Sequence, residues 1–348
     1  MAVTPSRASR MLLISALSLV PAGMGAQQSP AITLKPTNGT LAETFTNIQG
    51  IHELSDGRVL TTDSPVRMVL ADFGSGHAAT VSDVTWGMMT LFPGDTTVLT
   101  AMQPQWVFLV GTHPVGMLAR DNPVVAAAPY IVGVDSLGHV LTTTGPPPNA
   151  GDSASVVLVS RATAQIDTVA LIWTGVRRVI SAGEPIPSAA SQVTAFPVSE
   201  MAAITIDGWI AVIRKDPYRV DWRLPDGTWR HGAPLPVPAI PLDDREKHAF
   251  LIRYPNFPGP ITNWPDVVPP FSSRSGHPLV LPDGNLLLLR TPTADFPDPR
   301  YDMIDRHGQL IGRLQMPPNS TIAGFGSKSV YVMVKDGTVE HLERHPWP

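Results

Sequence analysis

Residues 51–63 read IHELSDGRVLTTD. Ile51 to Leu54 and Arg58 to Thr62 are two short strand-like runs, and Ser55-Asp56-Gly57 between them is a tight turn. Asp-Gly suits a type I′ hairpin because both central residues of that turn take a positive φ. The same phrase recurs along the chain. Phe92-Pro93-Gly94-Asp95 precedes Thr96 to Thr100, and Asp135-Ser136-Leu137-Gly138 precedes His139 to Thr143. Ile206-Asp207-Gly208 precedes Trp209 to Ile213, and Leu281-Pro282-Asp283-Gly284 precedes Asn285 to Arg290. A weaker copy, Gly324 to Ser327, precedes Ser329 to Val334. Three of the intervals between these turns approach the roughly 40–50-residue period of a four-stranded propeller blade. The two longer intervals hold insertions, at 173–200 and about 234–271. Second hairpins are legible in Tyr218 to His231 and in Arg300 to Met316. Six such meanders make an all-β, six-bladed β-propeller of four-stranded antiparallel blades.

The last copy supplies only three strands, Ser320 to Phe325, Val330 to Val334 and Val339 to His345. The missing outer strand is expected from Ala31 to Lys35 or Leu41 to Phe45, so that the two ends of the chain pair and close the ring. Within the second insertion, Leu242 to Tyr254 carries acids at its start and apolar residues at Ala249, Phe250 and Ile252. That pattern predicts a short amphipathic helix.

Composition agrees with this reading. The 348 residues include 37 prolines and 28 glycines, which punctuate short strands and argue against a helical bundle. Hydrophobic residues make up 43% of the chain, ample for a core. With no cysteine there is no disulfide, thiolate metal site or cysteine nucleophile. A net charge of −4 gives no electrostatic basis for binding nucleic acid.

The N-terminus reads as an export signal over residues 1–26. Arg7 and Arg10 precede the apolar run Met11 to Val20, and small residues follow before Gln27. The run is shorter than a membrane-spanning helix requires, and no later stretch is long enough. The expectation is a single propeller domain over 27–348 in the periplasm or secreted, with no membrane span once the signal is removed.

The phrases IHELSDGRVLTTD (51–63), PDGNLLLLR (282–290), YDMIDRHGQLIGRLQMP (301–317) and IAGFGSKSVYVMVKDGTVEHLERHPWP (322–348) resemble six-bladed propellers of the TolB-like and NHL-like type. They are most similar to exported bacterial members with no assigned activity. Propellers similar to these include calcium-dependent lactonases and esterases, lyases and pure binding modules. The resemblance thus implies the architecture and leaves the chemistry open.

The residues themselves offer little catalytic patterning. Asp56, Asp95, Asp207, Asp226, Asp283 and Asp336 sit in turns, where an aspartate has a structural purpose. Glu53, Asp63 and Asp135 are read as strand carboxylates. No Gly-x-Ser-x-Gly or His-Glu-x-x-His motif occurs. His52 beside Glu53 is the best candidate for a polar pair at the channel. The eight tryptophans are expected to pack between blades. The aromatics Tyr254, Phe257 and Trp264 in the second insertion are the candidate binding residues at a rim, because long loops carry function. The expectation is a non-enzymatic propeller without a cofactor, binding a protein or small ligand through one rim or the channel. The alternative is a hydrolase of the lactonase or esterase class, with Ca²⁺ held by channel carboxylates.

Overall fold

The computed structural model describes residues 30–63, 67–82, 89–92, 94–100, 105–128, 130–144, 153–174, 193–196, 198–255, 257, 261–272 and 277–347. The expected signal segment, Trp86 and most of the first insertion lie outside these residues.

Six antiparallel sheets succeed one another along the chain and form the blades of a six-bladed propeller. Blades 1 to 5 span residues 48–82, 89–118, 133–173, 201–231 and 279–315, and blade 6 begins at 320. The first strands of blades 6, 1, 2, 3, 4 and 5 touch in that order around the hub. The last strands form the perimeter and are largely exposed, as in His77–Ser82 and His113–Leu118.

Each gap between neighbouring blades is filled by one apolar cluster. Leu60 and Met68 of blade 1 meet Leu99 and Leu109 of blade 2. Trp106 of blade 2 meets Val140 and Val157 of blade 3. Val156 of blade 3 meets Val212 of blade 4, and Trp222 of blade 4 meets Leu286 and Ile304 of blade 5. Leu287 of blade 5 meets Val330 and Val332 of blade 6, and Tyr331 of blade 6 meets Val59 and Val69 of blade 1. Burying one such large side chain contributes about 1.5–3 kcal/mol, so the ring is held by its seams. Trp106 and Trp222 are fully buried at these seams, and the Trp222 indole donates to the Asp305 carbonyl across the blade 4–5 gap at 3.0 Å.

The chain ends close the ring. Ser320–Phe325, Ser329–Asp336 and Val339–Pro346 are the three C-terminal strands of blade 6. Its outer strand is Gly39–Thr40, paired antiparallel with Gly39 opposite Arg344. Leu41 and Phe45 prolong this contact through amide bonds to the Leu342 and Glu340 carbonyls, at 3.2 and 2.8 Å. Ala31–Ile32 takes a different place, as a parallel fifth strand on the edge of blade 5. Of the two expected segments, the second thus borders the closing strand, and the first caps the adjacent blade.

A meander sends alternate connections to opposite faces of the ring. On one face, the turn face, lie the Asp-Gly turns and the second hairpin of each of blades 1 to 5. On the other, the loop face, lie the connections between blades. These include the helix α1 (Pro123–Ala127), the helix α2 (Asp244–Arg253) and the insertion around it. Asp243 caps α2 by accepting from the Glu246 amide at 2.9 Å, with Asp244 and Glu246 in the first turn and Arg253 in the last. The insertion adds two small sheets, Val193–Thr194 parallel to Ile261–Asn263 and Ile240–Pro241 antiparallel to Val267–Val268.

Candidate functional site

The turn face spends its carboxylates on its own geometry. Asp56, Asp226 and Asp283 each accept from the amide two residues on, at 2.9–3.0 Å. Asp135 falls just past its strand, accepts from the Leu137 and His139 amides at 2.9 and 2.8 Å, and meets His139 Nδ1 at 2.7 Å. It therefore belongs to a turn instead of a strand. Asp95 spans to blade 1, accepting from the Ser55 amide and hydroxyl, both at 2.7 Å. Those hydrogen bonds hold its carboxyl below the ordinary range. Asp207 is paired across the blade 4–5 gap with Arg306 at 2.6 Å.

His52 and Glu53 lie on the first strand of blade 1 and point to opposite neighbours, as successive strand residues must. The His52 ring, only 6% exposed, places Nδ1 2.6 Å from the Thr97 hydroxyl and Nε2 3.2 Å from the Gly94 carbonyl, both in blade 2. Burial lowers its pKa, so the neutral ring accepts at Nδ1 and donates at Nε2. Glu53 reaches blade 6. Its carboxylate accepts from the Ser327 amide at 3.0 Å, the Ser327 hydroxyl at 2.8 Å and the Tyr331 hydroxyl at 2.5 Å. Burial opposes the charge, but these donors and nearby Arg344 outweigh it, and the Glu53 pKa lies below its ordinary value. Burial and the facing carboxylate push the Tyr331 hydroxyl pKa up. The pair is a double clasp, one residue to each flanking blade.

On the loop face, Tyr254, Phe257 and Trp264 surround Phe250 of α2, with ring centroids 4.8, 5.3 and 5.6 Å from it. Phe196 closes the group at 4.6 Å from Phe250. These aromatics form a small core of their own that holds the insertion together. The helix is apolar on a second side as well: Leu251 and Ile252 are 48% and 67% exposed. Phe296, 49% exposed, stands on the connection between the second and third strands of blade 5. That connection is fastened to α2 by the buried Glu246 carboxylate, which accepts from the Ala294 amide at 2.9 Å, and by the Arg245–Asp295 ion pair. The sequence pattern placed Ile252 on the buried side, whereas Phe250 alone turns inward with Glu246.

Two further features were not singled out in the sequence. A cavity of ≈570 Å³ lies where blades 5 and 6 meet beneath residues 33–36, lined by Leu34, Met316, Val332 and Val334 with Glu343 and His345 at its side. His345 ties the covering segment down through Nδ1, 2.8 Å from the Lys35 carbonyl, while Nε2 faces Glu343 at 3.1 Å. Blade 5 also carries a set of arginines, Arg290, Arg300 and Arg313, around the buried Asp302. The signal for that set was the alternation of Arg300 with Asp302 on a strand, legible only once Arg290 and Arg313 are known to lie on either side.

Among the described residues, no three His, Asp or Glu side chains come together in a group able to hold a metal ion.

No protein-family model matches the chain, and no curated protein does. Solved structures with a similar course of the chain include the calcium-binding protein regucalcin from Agrobacterium tumefaciens. It has 9% identity and a TM-score of 0.41, over 92% of this chain and 97% of that one. Virginiamycin B lyase from Staphylococcus aureus has 10% identity and a TM-score of 0.40, over 87% and 81%. At such identities and TM-scores neither lends this chain an activity.

Proposed function

We propose that this propeller is an exported, non-enzymatic binding protein that receives a protein partner on its loop face, at the rim built by the 234–271 insertion. The observation that carries this reading is the exposure of two neighbouring apolar side chains of α2, Leu251 and Ile252. They are mounted on an insertion that has its own aromatic core and is fastened to blade 5. Leu251 and Ile252 belong to none of the apolar clusters of the described residues, and exposed apolar side chains on a supported rim mark interaction sites. Tyr254, Phe257 and Trp264 would then act from beneath, keeping α2 in place. The N-terminal segment, with its two arginines and short apolar run, supports export.

The test compares the purified chain with its Leu251→Asp/Ile252→Asp variant as bait for an envelope extract of the source organism. A protein retained by the first and lost by the second, with the melting midpoint unchanged, supports the reading. Equal retention by both contradicts it. Turnover of simple lactones or esters that depends on added Ca²⁺ would replace the binding reading with the hydrolase.

A further inference from the structure

The blade 4–5 seam carries more positive charge than its own carboxylate can answer. Asp302 and Arg313 stand directly opposite one another in the ladder, and Arg300 lies two residues before Asp302 on the same strand face. Arg290 joins that face from the preceding strand, its amide donating to the Arg300 carbonyl at 2.8 Å. Asp302 is 1% exposed and accepts from Arg290 Nη1 at 3.1 Å and Arg313 Nε at 3.3 Å. The buried Tyr218 hydroxyl lies 3.5 Å from the Asp302 oxygen that Arg290 also reaches. Arg290 also donates to the Pro270 carbonyl at 2.8 Å, and Arg313 to that of Pro236 at 3.4 Å, so the insertion helps to fix both.

Arg300 is the residue left over. Its guanidinium is half-buried and lies over the Phe296 ring at 3.9 Å, and it makes no hydrogen bond among the described residues. Burial and the two neighbouring arginines lower its pKa, with Asp302 opposing them only in part. Among the described residues, Asp298, the acid that precedes Asp302, forms no ion pair with any of the three. Three guanidinium groups thus face a single carboxylate, and about a third of the Arg313 side chain is open to solvent beside them.

We propose that Arg300 and Arg313 form a binding site for a phosphate-type dianion on the outer side of the blade 4–5 seam, with Arg290 and Asp302 holding the arginines in place. Two surplus positive charges match a dianion, and planar guanidinium forks match its oxygens. Phe296 holds the Arg300 plane on one side and leaves its edge for the ligand. This site shares no residue with Leu251 and Ile252 of α2, so either can fail without the other.

Titration calorimetry of the full chain in low-salt buffer tests it, with inorganic phosphate, phenyl phosphate and acetate as probes. Arg300→Gln is the informative variant, because the lost guanidinium has no hydrogen bond among the described residues, and its melting midpoint without phosphate should equal the wild type. Arg120→Gln, at an exposed site elsewhere, is the control. The expected result is one phosphate per chain, weakened about tenfold or more by Arg300→Gln and unchanged by Arg120→Gln. Tighter binding of phenyl phosphate would identify a phosphate ester as the ligand, and equal binding a free oxyanion. No phosphate binding, undiminished binding by Arg300→Gln, or acetate bound as tightly as phosphate would each overturn the proposal.

Discussion

The two faces of the ring use the same residue types to different ends. On the turn face, aspartates close their own hairpins or reach the next blade, as Asp56 does with Arg58 and Asp95 with Ser55. On the loop face, Asp243 caps a helix, Glu246 ties that helix to blade 5, and Leu251 and Ile252 are left on the outside. The short turns have no length to spare beyond what closes a hairpin. The loop face has length, an aromatic core and exposed side chains that the fold does not use. The turn face also leaves Leu137 and Ile206 exposed, so what sets the loop face apart is its chain length and the separate aromatic core of its insertion.

The strongest way to break this contrast is to open the ring. Deleting residues 29–46 removes the outer strand of blade 6 together with Leu41 and Phe45, each 2% exposed. Those two side chains alone represent about 3–6 kcal/mol of burial, a large part of ordinary domain stability. Circular dichroism should then show no cooperative melt; an unchanged midpoint would mean that the closing strand is dispensable.

The clasp at Glu53 should matter next. Tyr331→Phe leaves that carboxylate without one donor and should cost about 1–3 kcal/mol in urea unfolding. Gly326→Ala attacks the same clasp from the other side, since a Cβ there would run into the Glu53 carboxylate. A cost near zero for both would reduce the clasp to decoration.

The pH dependence follows from the same group. The Glu53 carboxyl is depressed in the folded chain, so its contribution is complete above the unfolded value, near pH 4.3, and fades as pH falls through the folded value. Wild-type stability should therefore fall more steeply below about pH 4.5 than that of Glu53→Gln. Parallel acid limbs in the two unfolding curves would contradict the assignment.

A smaller effect is expected at the first turn. Gly57 has φ of +85°, and a Cβ there would meet nothing within 4 Å, so Gly57→Ala costs only backbone strain, about 1 kcal/mol. The loop-face pair Leu251→Asp/Ile252→Asp should change stability by less than about 0.5 kcal/mol in the same urea titration. A larger loss would show that those side chains belong to the core after all.

Much of the architecture was legible because the glycine of each Asp-Gly turn takes a positive φ that no distant contact can replace, although the aspartate does not, so these are not the type I′ turns expected. The strand Thr96–Thr100 follows its turn as the sequence implied, and His139–Thr144 begins where expected. Partners were not legible. His52 and Glu53 are adjacent in the sequence, but their roles depend on Thr97 and Tyr331, which lie 45 and 278 residues away. The helix α2 was recognisable from its caps, whereas its inward side was not, because the core it meets comes from Phe196 and Trp264 on other segments. The arginine set of blade 5 escaped notice for the same reason: Arg290, Arg300 and Arg313 become neighbours only through strand register.

The division of labour between the faces can be measured by placing a photo-crosslinking amino acid at Ile252 on the loop face and, in a second chain, at Asp226 on the turn face. Both side chains are exposed and neither lies in a seam. Irradiation in the envelope extract should yield a specific cross-linked protein from position 252 and none from position 226. Cross-links from 226 alone, or from both positions to the same protein, would contradict the assignment of binding to the loop face.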